Sequence, residues 1–181
     1  GFADTADALD LLTTALNAYG LESKEASRIS DILIMTQDLG KTSVGELSQT
    51  MGKVIPTAKA NKVAMEQLGA SYATMTAKGF KTADTTTYLN AMIQELGKTG
   101  SKADKELRAS TGKTFSQLMD DGMNLAEVLK VLEDSAEKSG LSLGDMFSSS
   151  TAKSAALTLL SDGVEGYTKN LEAMNNAQGK T

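Results

Sequence analysis

The sequence predicts an all-α fold: a compact bundle of about eight to ten short-to-medium helices packed as antiparallel hairpins, with no sheet. Three observations carry this. Apolar residues recur at spacings of three and four along most of the chain, and the strict alternation of a half-buried strand never persists. Hydroxyl–acid pairs and glycines punctuate the pattern where helix starts and stops are expected, with connections short enough for hairpins.

Taken in order, Leu9, Leu12, Leu16 and Tyr19 form a first stripe that ends at Gly20. The apolar run Ile32 to Met35 falls far short of the roughly 18 to 20 residues of a membrane span and leads to Gly40. Ser43, with Glu46 three residues on, starts a short helix, and Pro56 is read as occupying the first turn of the next, where its missing N–H costs nothing. Met65, Leu68, Tyr72 and Met75 stripe a long helix rich in Ala and Met that stops at Gly79. Further starts are Ser101 to Asp104, Thr114 to Gln117, Asn124 to Glu127 and Ser142 to Asp145; the third opens the stripe Leu125, Val128, Leu129, Leu132 and Ala136. Gly20, Gly40, Gly79, Gly97, Gly122, Gly140 and Gly163 are all expected to take the left-handed conformation after a helix. Met residues at helical spacing read as core filler, since an unbranched side chain fits irregular gaps.

Composition removes several classes of function. The 181 residues contain no Cys, so disulfides and thiolate metal sites are excluded, and no His, so the commonest general base and metal ligand are missing. A net charge of −5 with scattered Lys and Arg leaves no footprint for sequence-specific nucleic acid binding. Gly-Lys-Thr occurs four times, at Gly40, Gly97, Gly112 and Gly179, but a phosphate-binding loop needs a glycine five residues earlier, where Met35, Met92, Leu107 and Met174 stand. A helix-ending Gly, a Lys against the negative helix end and a hydroxyl for the next cap explain the tripeptide better. The pairs Asp120-Asp121 and Glu133-Asp134 lack the aromatic platforms of a sugar cleft, with aromatics at 4% and no Trp, and the Asp120 region lacks the ligand spacing of an EF-hand. No catalytic residue, cofactor, metal or small-molecule substrate is expected.

The stretch from Ser43 to Leu96 carries a resemblance. Ser43-Val44-Gly45-Glu46-Leu47, the apolar pair and proline Val54-Ile55-Pro56, the long helix through Met65 and Met75, and the break Gly79-Phe80-Lys81-Thr82 leading to Leu89 follow one another. Downstream come Thr114 to Leu125 with Gly122, the helix Ala126 to Lys138, and Leu143 to Phe147 followed by Ala152 to Leu160. In this order and spacing the chain resembles the core of the TP901-type phage tail tape measure proteins over Leu21 to Gly163. It departs where Ser148 follows Phe147 in place of Gly, and where Asp84 and a Thr run replace small residues.

The resemblance implies a structural role: a tape measure fills the tail lumen, sets tail length, organises tube assembly and aids genome passage on infection. Its implied partners are further copies of itself, tail tube subunits, assembly chaperones and tail tip proteins. Its implied locations are the virion and, during assembly, the bacterial cytoplasm. Pro56, Gly79, Phe80, Leu89, Gly122 and Phe147 are the structural-motif positions. The chain, opening on Gly1-Phe2-Ala3, is read as one helical domain over 1–181 excised from a longer protein of a phage or prophage. Its capped helices are too short for a ruler by themselves, which favours a compact module over an extended lumenal form. The alternative is a helical scaffolding or signalling module unrelated to phage. That class needs unbroken heptads, and Gly40, Gly79, Gly97 and Gly122 argue against them.

Overall fold

Frequent caps and breakers divide this chain into many brief helices. The computed structural model describes residues 2–179, with side chains from residue 5 onward. Among the described residues there are eleven α-helices and no strand: α1 Phe2–Tyr19, α2 Ala26–Leu39, α3 Val44–Thr50, α4 Ile55–Ala60, α5 Met65–Ala77, α6 Thr82–Gly97, α7 Lys102–Thr111, α8 Phe115–Asp120, α9 Leu125–Lys138, α10 Ser150–Leu159 and α11 Gly163–Asn175. Short 3₁₀ turns at Ser23–Glu25, Met51–Lys53 and Leu143–Met146 complete the path. The all-α class is as the periodicity predicts, the eleven helices slightly exceeding the eight to ten expected, and the separate short helices on either side of the Met51–Lys53 turn are as expected from Ser43 and Pro56.

The local start signals work as chemistry requires. Ser43 Oγ accepts from Glu46 N and Ser101 Oγ from Asp104 N, both at 3.1 Å, and Thr114–Gln117 and Asn124–Glu127 form reciprocal capping boxes. At the turn before α10, Ser142 N and Oγ both donate to Asp145 Oδ2, at 2.8 and 3.0 Å, which holds the Asp145 carboxyl below its usual range. Pro56 is exposed in the first turn of α4, where no intrahelical donor is lost.

The glycines divide into two kinds. Gly20, Gly79, Gly122, Gly140 and Gly163 have positive φ, as expected. Gly40 and Gly97 do not: Gly40 is extended at φ −101°, and Gly97 is the last residue of α6. These two are glycine for space. A Cβ on Gly40 would collide with Thr76 Oγ1 and lie 3.0 Å from the Ala73 Cα, and one on Gly97 would collide with the Asn61 side chain.

The core is organised around α5, in which Met65 and every residue from Leu68 to Thr76 are buried. A helix covered on all sides needs more than its two chain neighbours. It packs on α2, α6, α10 and α11, and the most extensive contacts in the fold join α6 to α10, α5 to α11, α2 to α5 and α1 to α3. Sequential pairs such as α5–α6 and α6–α7 also touch, so the expected hairpin packing is present but secondary.

Seven methionines, at 51, 65, 75, 92, 119, 146 and 174, are buried, consistent with their reading as filler. The stripe on α9 is buried throughout, from Leu125 to Ala136. That on α1 is rotated from expectation: Leu11 and Ala15 are buried, whereas Leu9 is 58% exposed and Leu12, Leu16 and Tyr19 are half-buried.

Candidate functional site at the Gly79 turn

The six motif positions fall on separate elements. Gly79 ends α5 at φ 104°, with its N–H donating to the Thr76 carbonyl at 3.0 Å and the Phe80 N–H to the Met75 carbonyl at 3.2 Å. This paired arrangement satisfies the last carbonyls of the helix. Gly122 repeats it at φ 100° after α8, through Met123 N to Leu118 O at 3.2 Å. Phe80 packs edge-on against Tyr88, with ring centroids 5.4 Å apart. Leu89 lies in the core on α6, Phe147 is buried just before α10, and Pro56 stands apart on α4. Only Gly79 and Phe80 share a surface feature.

That feature is a groove of about 490 Å³ whose walls include Lys41, Thr50, Gly79, Phe80, Lys81 and Thr82. A second hollow of about 560 Å³ continues it along α3 toward Ala8 and Leu9 of α1, the two sharing Glu46 and Gln49. Beneath the groove runs a chain of hydroxyls. Thr42 Oγ1 and Thr82 Oγ1 share a hydrogen bond of 2.6 Å, Lys41 N donates to Thr76 Oγ1 at 3.0 Å, and Thr76 Oγ1 donates to the Tyr72 carbonyl at 2.7 Å. The Tyr72 hydroxyl pairs with Thr86 Oγ1, which reaches Thr50 Oγ1 at 3.1 Å. Burial pushes the Tyr72 phenol well above its usual range, so it stays neutral and serves as a structural hydroxyl.

On the far side of α5 the same device recurs. Ser71 and Thr74 donate back to the Gln67 and Ala70 carbonyls, each at 2.8 Å; Tyr167 of α11 donates to the Gln67 carbonyl at 2.8 Å and Asn170 to Thr74 Oγ1 at 3.0 Å. Such back-bonding lets a hydroxyl be buried without an unsatisfied group. Sequence reasoning missed this network, whose one visible signal is the placement of Thr and Tyr in the apolar register of α5 and α6.

The remaining candidates have structural uses. Gly112 is left-handed at φ 75° and Thr114 caps α8, as the bland reading of Gly-Lys-Thr requires. At Gly40 the tripeptide instead ties α2 to α5 and α6 through Lys41 N and Thr42, and Lys180 and Thr181 of the fourth copy lie outside the described residues. Asp121 pairs with Lys113, and Glu133 and Asp134 both pair with Lys130, at 3.2 and 3.1 Å. Among the described residues no group of three or more Asp or Glu is placed to hold a metal ion, and no helix is long and apolar enough to cross a membrane.

The chain belongs to the phage-related minor tail proteins, whose family model matches residues 1–160, and is thus a structural phage tail protein. It is 45% identical to the "Probable tape measure protein" of Clostridium phage phiCD119, over an alignment covering 97% of this chain and 19% of that protein, so it spans about a fifth of the relative's length. No solved structure matches.

Proposed function

We propose that this chain is a folded segment of a tail tape measure, one that contributes to setting tail length and to ordering tube assembly. The observation that carries the reading is its 45% identity, over nearly its whole length, to a protein of that name. The motif positions Pro56, Gly79, Phe80, Leu89, Gly122 and Phe147 act as helix punctuation and packing, and the chain has no catalytic role. It works as one domain with no cofactor, meeting tube subunits, tip proteins, assembly chaperones or other copies of itself. It is assembled in the bacterial cytoplasm, resides in the virion tail, and leaves with the genome on infection.

In-frame deletion of the segment tests this in the phage or prophage that carries it. A segment read as continuous helix would shorten the tail by about 270 Å, at 1.5 Å per residue. The compact module described above shortens it by roughly 40 Å at most, the diameter implied by globular packing of this length. Tails of unchanged length and normal yield would overturn the length-setting role.

A further inference from the structure

α11 covers the polar side of α5. Tyr167 meets Gln67 and Ser71, Asn170 meets Thr74, and Asp162, just before α11, pairs with Lys78 at 2.7 Å. Gln67, Ser71, Thr74 and Lys78 lie four, three and four residues apart, so they share one helix face. The three that are covered keep partners outside α11. Gln67 donates to the Met123 carbonyl at 3.3 Å and accepts from Leu125 N at 2.8 Å, while Ser71 and Thr74 donate to the Gln67 and Ala70 carbonyls, each at 2.8 Å. On α2, Thr36 lies 3.7 Å from Met174 Sδ but donates to the Ile32 carbonyl at 2.8 Å. Lifting α11 away therefore orphans none of these groups, and water reaches them with their bonds intact.

The hold of α11 itself is slight. Its buried side chains are Tyr167 and Met174, with Val164 and Leu171 partly buried. It starts without a side-chain cap on Gly163, at φ 75°, and carries Gly166 near that start, so its first turn is intrinsically weak. The exposed Lys78–Asp162 pair adds little. α1, at the other end of the chain, differs: it packs on α3 and α4, whose buried side chains Leu47, Ile55 and Ala58 are all apolar, so no polar face lies ready beneath it.

We propose that α11 is a strap, which leaves the α2–α5 face as a unit about the turn at 160–162 while α1 to α10 stay folded. The family match ends at residue 160, at this turn, so the part shared with the family is the part that stays. The open state presents the hydroxyl face of α5 and a free α11, a change of surface available without unfolding.

The chain has no Cys, so one introduced thiol reports alone. Ser71→Cys places it beneath Tyr167, and Thr85→Cys, fully buried on α6, is the control. Labelling in native buffer, normalised to each variant's rate in urea, should run roughly tenfold or more faster at position 71 than at 85. Adding Glu95→Ala, which removes the acceptor of Ser149 at the start of α10, should speed labelling at 85 and leave 71 unchanged, because that contact is intact whether the strap is closed or open. Hydrogen exchange of the natural chain, followed by NMR, should show the amides of residues 167–174 opening together and ahead of those of α5 and α6. Equal labelling at the two positions, or a Glu95→Ala effect on both alike, would mean that α11 leaves only with the whole fold. Amides of α11 that exchange as slowly as those of α5, or one after another from Asn175 inward, would likewise overturn the strap, however fast the position 71 thiol reacts.

Discussion

Glu95, near the end of α6, caps a helix to which it does not belong: its carboxylate accepts from Ser149 Oγ at 2.6 Å, Ser149 N at 3.1 Å and Ser148 N at 2.7 Å, at the start of α10. Partial burial alone would raise its pKa, but the Ser149 hydroxyl, the two amides and nearby Lys102 outweigh this and hold it below the ordinary glutamate value. A carboxyl whose folded pKa is depressed contributes stability at pH above its unfolded value, and that contribution is lost as pH falls through the folded one. Glu95→Gln should therefore lower the melting temperature at pH 7, and the difference from the natural chain should shrink on titrating below pH 4. Glu95→Ala should cost about 1 kcal/mol at neutral pH, as loss of a helix cap does. A deficit that is constant across pH would refute the cap.

The two kinds of glycine should respond differently to the same change. Gly79 has open space around its Cβ position, so Gly79→Ala is penalised only by positive φ, at about 1 kcal/mol, and Gly79→Val by more. Gly40→Ala meets Thr76 and the Ala73 backbone and should cost about 1–3 kcal/mol by overpacking, with the Thr76→Ser double variant recovering little, because the colliding hydroxyl is retained. Pro56→Ala should change stability by less than about 1 kcal/mol, through the unfolded chain. Urea unfolding of the four single variants checks the order.

Lys62 is the one described residue other than glycine with positive φ, at 64°, in the turn that joins α4 to α5. The turn closes with Val63 N on the Ala58 carbonyl at 2.8 Å, the bond that usually accompanies a left-handed glycine after a helix. Lys62→Gly should be neutral to stabilising by up to about 1 kcal/mol, the left-handed strain relieved less the entropy glycine loses on folding. A loss of more than that would mean the lysine side chain has a packing role.

What was legible beforehand follows from range. Caps at Ser43, Ser101, Thr114 and Asn124 close within three residues, and positive φ at Gly79 and Gly122 follows from where a stripe ends, so both kinds of signal sit in a few consecutive letters. Gly40 and Gly97 look the same in sequence, yet their reason is an approach by α5 and by Asn61 that no local window contains. Glu95 likewise carries no local sign of its role, which depends on α10 lying beside it, and Ser149 lacks the reciprocal cap signature because Ala152, not an acid, stands three residues on. The hydroxyls of α5 can be buried all round only because they bond back to carbonyls four residues earlier, a solution that depends on the helices packed over them. The groove combines Lys41, Phe80 and Lys81 with Leu9 from a helix far away in sequence, so its apolar end was invisible before the fold.

Compactness in solution can be tested through Tyr167. Its ring is fully buried on α11, beyond the 1–160 span of the family match, and its hydroxyl reaches the Gln67 carbonyl at 2.8 Å and Ser71 Oγ at 3.1 Å. Burial pushes this phenol up as well, so no titration near neutrality loosens it. α11 is thus part of the same core as α5, and the folded unit includes residues that follow the matched span. X-ray scattering of the chain should give a radius of gyration of about 16 Å, the expectation for a globular chain of this length. Tyr167→Phe should keep that value and lose about 1 kcal/mol, because one hydroxyl is removed while the Gln67 carbonyl keeps its bond from Ser71 Oγ. Tyr167→Ala should cost about 3–5 kcal/mol and expose the fold to partial opening at moderate temperature. A natural chain with a radius far above 16 Å, or a Tyr167→Ala variant that melts unchanged, would show that α11 does not hold α5 in solution and would favour the extended lumenal form over the compact module.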